Sequence, residues 1–228
     1  CLRCYNLSMD NPVGSLEVPI NLNARKKLCL SISERQREIL VGCVLGDAYI
    51  TKLGKIRIEQ SVKQHVYVAW KHGELKSLCY GADPRELVHK KGSKSHYSLY
   101  FTLRQYFRAW RKIFYSDTQK VFPEFLVLTP LSVAVWYMDD GCWTGKKFVI
   151  STESFKGNSI DYLQSALKKQ FGIETHVGKN GKLTILKVSH PNFIQLVSPH
   201  VISGMRYKLP NPVTTSPVRY RRELLVNQ

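Results

Sequence analysis

Two apolar, helix-like runs in this chain each end on an acidic residue, and each is followed at a similar distance by a lysine just ahead of a proline. The first is Leu40-Val41-Gly42-Cys43-Val44-Leu45-Gly46-Asp47-Ala48 and the second Val133-Ala134-Val135-Trp136-Tyr137-Met138-Asp139-Asp140-Gly141. Lys120 lies 73 residues after Asp47 and Lys208 lies 68 after Asp140, three and two residues ahead of Pro123 and Pro210. A set recurring in this order marks two copies of one structural unit. A carboxylate at a helix C-terminus faces the negative end of the macrodipole, at a cost of about 0.3–1 kcal/mol, so something positive should compensate it. If the two helices pack side by side, Asp47 and Asp140 meet at one end, and like charges that close must hold cations or one must protonate. Oxygen ligands alone point to Mg²⁺ rather than zinc. A metal-activated water, with Lys120 or Lys208 stabilising the crowded phosphate, is the chemistry of phosphodiester hydrolysis.

Taken singly, an aspartate after an apolar helix is more often a solvated helix end than a catalyst, and a lone lysine an ordinary surface residue; recurrence of the whole set shifts that balance. Of the adjacent pair Asp139 and Asp140, superposing the motifs aligns Asp140 with Asp47, so Asp140 is taken as the ligand. Gln60 and Thr152, at corresponding strand ends, are weaker candidates for placing water.

The charge balance supports a polyanionic partner. Against 17 Asp plus Glu stand 34 Lys plus Arg, a net +17, and such a field attracts nucleic acid. From Leu87 to Ser116 there is no acid, while Lys90, Lys91, Lys94, Arg104, Arg108, Arg111 and Lys112 fall inside; Thr175 to Arg222 is again acid-free, with Lys179, Lys182, Lys187, Arg206 and Lys208 among its cations. Tyr97, Tyr100, Thr102, Asn180 and Thr184 are interleaved with these charges, and Arg57 joins them on an earlier strand, a mixture suited to reading phosphates and bases. No stretch approaches the roughly 20 apolar residues of a membrane span, and residues 1–30 lack a signal-peptide core; an intracellular setting is expected, in an organelle (mitochondrion or chloroplast) or a bacterial cytoplasm. Six scattered cysteines suggest no disulfide framework, and Cys1-x-x-Cys4 is half a zinc site without a second half. Because residue 1 is Cys rather than Met, the chain is expected to be a piece of a longer protein.

The elements that must position these residues follow from local pattern. Residues 1–32 show no period and read as a tail or arm. Ser33-x-x-Gln36 has capping-box spacing ahead of Ile39, Leu40, Cys43 and Val44, and Thr129 with Pro130 opens the second copy. Gly42 and Gly46, four apart, leave one helix face bare for close packing, with Ala134 the comparably small residue on the second helix. Each run leads into a hairpin, with Ile56 and Ile58 or Phe148, Ile150 and Thr152 on one face. A helix follows in each copy: Val66, Ala69, Trp70 and Leu78 mark the first stripe, and Ile160, Leu163, Leu167 and Phe171 the second, stopped at Gly172. A second hairpin then carries Tyr97, Leu99, Phe101 and Leu103, or turns at Asn180-Gly181. A last helix closes each unit, with Trp110 and Phe114 or Phe193 and Val197 inward. The expectation is an α+β protein with subdomains at 33–124 and 125–228.

At these residues the sequence resembles the LAGLIDADG homing endonucleases, in the single-chain subgroup with two motifs. The likeness covers about residues 33 to 212, including Trp136-Tyr137-Met138-Asp139-Asp140-Gly141 and Tyr207-Lys208-Leu209-Pro210. It implies two αββαββα subdomains related by a pseudo-two-fold axis, with motif helices at the interface and saddle-shaped antiparallel sheets along the DNA major groove. It implies a monomeric, divalent-metal-dependent enzyme of intron homing that cuts both strands of a long double-stranded DNA site to leave 3′ overhangs. By motif position Asp47 and Asp140 are metal ligands and Lys120 and Lys208 the basic pair. Leu45 stands where the first motif usually has its first acid, and Val135 where a small residue is usual in the second. Relatives of this fold also bind intron RNA as maturases, so an RNA-splicing role and a non-catalytic DNA-binding role are the competing expectations.

Overall fold

A hairpin and a strap precede the first repeat. In the computed structural model, which describes residues 16–25, 28–81 and 83–211, β1 (Asn21–Arg25) pairs antiparallel with β2 (Leu28–Ser31). Just ahead of it, the Leu16 amide donates to the Phe125 carbonyl at 2.7 Å and the Val127 amide to the Leu16 carbonyl at 2.9 Å. The Trp110 indole donates to the Pro19 carbonyl at 3.0 Å. The described part of the segment read as a tail or arm is thus hydrogen-bonded to the chain that links the two repeats. Cys1 and Cys4, and the cations beyond residue 211, lie outside the described residues.

Helix α1 (Glu34–Leu45) opens on the capping box that its sequence spells: the Ser33 hydroxyl accepts from the Gln36 amide, and the Gln36 side chain accepts from the Ser33 amide. Then come β3 (Tyr49–Ile50), β4 (Ile56–Ser61), α2 (His65–Leu75), β5 (Arg85–Lys91), β6 (Lys94–Thr102) and α3 (Arg108–Phe114). A short ladder of β7 (Tyr115–Ser116) and β8 (Gln119–Lys120) brings Lys120 back towards the end of α1. The second repeat starts at α4 (Pro130–Asp140), where Thr129 caps through Ser132 and Pro130 occupies the first turn. It continues through β9 (Gly141–Trp143), β10 (Phe148–Ser151), α5 (Ser159–Phe171), β11 (Thr175–Val177), β12 (Lys182–Ile185) and α6 (His190–Val197), with Lys208 ending a 3₁₀ turn. The two four-stranded antiparallel sheets have orders β3-β4-β6-β5 and β9-β10-β12-β11. This is one strand order used twice, so the αββαββα unit is duplicated.

The two capped helices form the centre. Leu131 to Met138 of α4 are all buried, as are Ile39 to Leu45 of α1, and a helix apolar all round has no face to give to water. A Cβ on Gly42 would meet the Ser132 carbonyl oxygen at 2.5 Å and Val135 Cβ at 2.6 Å; one on Gly46 would meet Asp139 Cβ at 2.5 Å. The opposed positions on α4 are therefore Ser132, Val135 and Asp139, not the expected Ala134. Glycine on one helix makes room for valine on the other, so the large residue in the second motif does not force the helices apart.

The first-repeat stripe is half out of phase with expectation: Leu78 is buried and Trp70 packs against the core, but the two other residues point outward. Val66 is 48% exposed and Ala69 is exposed, while Tyr67, Val68, Lys71, His72 and Leu75 face inward. Read as polar, Lys71 and His72 pulled the inferred face a quarter turn away. By contrast α5 buries Leu163 and Leu167 and stops at Gly172 with φ +66°, as its pattern predicts.

Candidate active site

The C-terminal ends of α1 and α4 deliver three carboxylates and three lysines to one place. Asp47 follows α1 directly and keeps an open side to solvent, whereas Asp139 is buried at the helix junction and Asp140 is half-buried at the end of α4. The Lys120 ammonium donates to the Gly46 carbonyl. The Lys208 ammonium donates to the carbonyls of Met138 at 2.5 Å and Asp139 at 3.0 Å. Each lysine thus sits on carbonyls left unpaired at the end of its own repeat's motif helix: Lys120 on α1, Lys208 on α4. That is where a cation is favoured by the macrodipole. Tyr137 fixes the second by donating its hydroxyl to the Lys208 carbonyl at 2.6 Å.

Gln60, at the end of β4, is buried within the cluster, and its Nε2 donates to Asp47 Oδ2 at 2.9 Å and to Asp139 Oδ1 at 3.0 Å. The opposite amide orientation would place Oε1 against two carboxylates, so this assignment follows from the chemistry. Asp139 also accepts from the Asp47 amide at 3.3 Å through Oδ2. Its Oδ1 takes the Lys71 ammonium at 2.5 Å, both side chains being fully buried. Both members of the Asp139 and Asp140 pair therefore enter the cluster, in different roles. Thr152, the counterpart of Gln60, does not: its hydroxyl donates to the Gly181 carbonyl at 2.5 Å.

These surroundings set the protonation of the cluster. Burial, then the charge of Asp47, then that of Asp139 push Asp140 up to about 7. Burial and Asp139 push Asp47 up to about 6, although its open side lets solvent screen part of that effect. Burial lowers Lys120 and Lys208 against the opposing pull of the aspartates. A carboxyl that binds its proton more tightly folded than unfolded weakens stability as pH rises, from about 4, where the unfolded chain ionises, through about 7. The expected result without metal is that Asp140→Asn gains thermal stability relative to the native protein between pH 5 and pH 8. Melting curves at both pH values check this; a difference that does not change with pH refutes it. Two carboxylates reluctant to ionise together form a donor set that fits a hard divalent cation. Among the described residues no group of three or more His, Cys, Asp or Glu comes together as a metal site, so water and phosphate oxygens would complete the shell.

Strand register sorts the residues expected to read nucleic acid. In the first sheet Arg57 pairs with Thr102, Glu59 with Tyr100 and Ser61 with Ser98, while His89 pairs with His96. Period-two alternation puts Arg57, Tyr100, Thr102 and Lys94 on the open face, opposite buried Ile56, Ile58 and Phe101. Tyr97 and Lys90 fall on the other side of the sheet, near the exposed tip of the β5–β6 hairpin, where Lys91 pairs with Lys94. In the second sheet Lys182 and Thr184 lie on the open face with Ser151 and Val149, and Lys179 and Asn180 form the turn before β12. Lys187 is exposed just past β12.

Two cations counted towards the basic surface are internal supports instead. Buried Arg111 donates to the carbonyls of Ile50 and Asp117, each at 2.5 Å, and Arg104 donates to the Cys79 carbonyl at 2.9 Å. The open face also holds an acid that the charge pattern did not single out. Glu59 is partly buried, which opposes ionisation, yet hydrogen bonds from Ser98, His89 and Arg57 prevail and hold its carboxyl below the ordinary value. Arg57 donates to it through Nε at 3.0 Å and a terminal nitrogen at 2.7 Å, and its guanidinium lies 4.1 Å over the Tyr100 ring.

Known proteins resemble this chain. "Probable intron-encoded endonuclease 1" of Wickerhamomyces canadensis is 28% identical over 204 residues, covering 81% of this chain and 87% of that protein. "Cytochrome b mRNA maturase bI2" of Saccharomyces cerevisiae is 29% identical over 232 residues, 89% of this chain and 50% of that protein. The chain thus spans about half the length of some of the curated relatives that it matches. Among solved structures, "The homing endonuclease I-WcaI bound to its DNA recognition sequence" matches with a TM-score of 0.70 at 25% identity, over 79% of this chain and 88% of that one. Residues 37–196, spanning both motif helices and both sheets, match the profile of one family, and the chain belongs to it: the LAGLIDADG DNA endonuclease family.

Proposed function

We propose that this chain is a homing endonuclease acting as a monomer: it lays the open faces of its two sheets along a long double-stranded DNA site and hydrolyses one phosphodiester on each strand, leaving 3′ overhangs. The observation that carries this reading is the meeting of Asp47 and Asp140 from duplicated helix ends, each with its own lysine, inside a strongly basic protein. Asp47 and Asp140 would hold the divalent metal, Mg²⁺ by preference for oxygen ligands. When bound, the metal supplies Lewis-acid stabilisation of the phosphate and lowers the pKa of water. The protein's own contribution is positional. Gln60 orients Asp47 through its amide; Lys120 and Lys208, anchored on main-chain carbonyls, offer fixed positive charge to the crowded phosphate. The subdomains proposed are 33–124 and 125–228, joined at the linker that the N-terminal strap holds.

Selection of cleaved molecules from random duplex DNA with Mg²⁺ tests the proposal, since it reports activity and target together; recovery of shifted but intact DNA alone would reject it. Binding should be steeply salt-dependent, losing about 10³-fold or more between roughly 50 and 200 mM salt if some six phosphates are neutralised. Filter binding across that range checks this, and a flat response would count against the basic faces as the interface.

The match to a yeast mRNA maturase supports a second reading, assistance of intron splicing through RNA binding. Such a role would place the target in an organelle. Described residues include no helix long and apolar enough to cross a membrane, and the site of action would follow the nucleic acid. Cleavage is the first reading because both carboxylates and both lysines are present in the cluster.

A further inference from the structure

The cluster is not symmetric, and the asymmetry begins at a buried lysine with no counterpart among the described residues of the second repeat. Lys71 is fully buried on α2, where the rest of the inward face is Tyr67, Val68, His72 and Leu75. A buried ion pair adds little net stability over well-packed apolar groups, because desolvation offsets most of the attraction. Lys71 and Asp139 are therefore poorly explained as a device for holding the fold together. What they do visibly is pass order along a chain of contacts. The space left by Gly46 admits the Asp139 side chain to the helix junction. Lys71 then holds Asp139 Oδ1 at 2.5 Å; the same oxygen accepts from Gln60, and Gln60 holds Asp47 Oδ2. Gln60 Oε1 is buried without a partner among the described residues, leaving the amide free to present an acceptor to a water beside Asp47.

Nothing equivalent serves the other carboxylate. Thr152 turns to the Gly181 carbonyl, and the inward residues of α5 are Ser159, Leu163, Ala166 and Leu167, none of them a cation. Among the described residues the Asp140 carboxylate has no hydrogen-bond or ion-pair partner. We infer that Lys71 and Asp139 are a positioning pair that orients Asp47 through Gln60, and that the pair makes the two strand cleavages unequal: one depends on it and the other does not. This rests on the proposed reading that the chain cuts both strands, and it adds a residue that neither motif contains.

The test uses a duplex carrying the selected site, labelled separately on each strand, with rates measured across a Mg²⁺ titration. Lys71→Met alone strands a buried carboxylate and is expected to fold poorly, so the informative protein is Lys71→Met with Asp139→Asn, which removes both charges at similar volume. It should fold and bind DNA with native affinity, yet slow one strand by about 10- to 100-fold with a raised Mg²⁺ requirement, the usual effect of losing an outer-sphere partner. The other strand should stay within about threefold, so nicked product accumulates. Gln60→Met, which removes the donor shared by Asp139 and Asp47 but leaves the Lys71–Asp139 ion pair in place, should slow the same strand. Native cleavage of both strands by the double variant, or equal slowing of both, overturns the inference. So does failure of the double variant to fold combined with equal slowing by Gln60→Met. Absence of cleavage by the native protein itself would instead indict the proposed activity.

Discussion

Replacing either Asp47 or Asp140 with asparagine is expected to abolish double-strand cleavage, lowering the rate of the affected step by at least about 10³-fold, while DNA affinity is unchanged or slightly tighter. The size follows from electrostatics: each substitution removes one of the two carboxylates that would hold the metal against a phosphate already rich in negative charge, worth about 4 kcal/mol of barrier at that ratio. The substitution is close to isosteric. In Asp47→Asn the new amide oxygen can still accept from Gln60 Nε2, so the relay from Asp139 survives and a lost rate reports lost charge. Removing an anion from a protein that already carries +17 cannot weaken its attraction to DNA. Single-turnover cleavage and filter binding on the same protein check both halves of the statement; full double-strand cutting by either variant would remove Asp47 or Asp140 from the site.

The second large effect is on stability and concerns the glycines that let the halves meet. Gly42→Ala should destabilise by about 1–3 kcal/mol or more, despite alanine's better helix propensity, because its Cβ would lie 2.5 Å from a backbone oxygen and 2.6 Å from Val135 Cβ. A backbone carbonyl within α4 cannot step aside without shifting the helix. For a chain of this size each kcal/mol lowers the melting temperature by about 2–4 °C. Gly73→Ala is the matched control: it sits on the exposed face of α2 with nothing within 4 Å of the added carbon, so it should stabilise by about 0.5–1 kcal/mol. Equal behaviour of the two variants in thermal melts would contradict the close packing of α1 on α4. Because Asp47 and Asp140 ride on those helix ends, Gly42→Ala should also reduce cleavage at temperatures where it remains folded.

Much of this molecule is written in short-range signals. Ser33 with Gln36, and Thr129 with Pro130, each mark a helix start by residues no more than three apart; Gly172 and Asn180-Gly181 mark a stop and a turn. The recurrence of apolar run, aspartate and distant lysine identified Asp47, Asp140, Lys120 and Lys208 as a set, and the structure gathers all four. What local pattern could not show was which inward positions are polar. Lys71 counts as a solvent-facing residue in any hydrophobic period, so the face of α2 came out rotated, and its partner Asp139 looked redundant beside Asp140. The same blindness applied to Arg111, a cation by composition and a buried main-chain support in space. Sheet faces divided differently: alternation within β6 already separates Tyr97 from Tyr100, three apart in the chain, whereas which strands lie beside each of them is set by register, Tyr100 beside Glu59 and Tyr97 beside Val88.

The amino-acid order alone settled the helices and hairpins of the two repeats, though not the β1–β2 hairpin ahead of them or the β7–β8 ladder, and it settled that the unit is used twice and which charges repeat, since propensity, capping and periodicity act over a few neighbouring residues. Left to the folded chain were the meeting of two helix ends at Gly42 and Gly46, the burial of Lys71 against Asp139, and the difference between the two carboxylates. Those depend on pairings such as Lys71 with Asp139, 68 residues apart in the chain, and Asp47 with Asp139, 92 apart, where distance in space is set by packing and not by any local pattern.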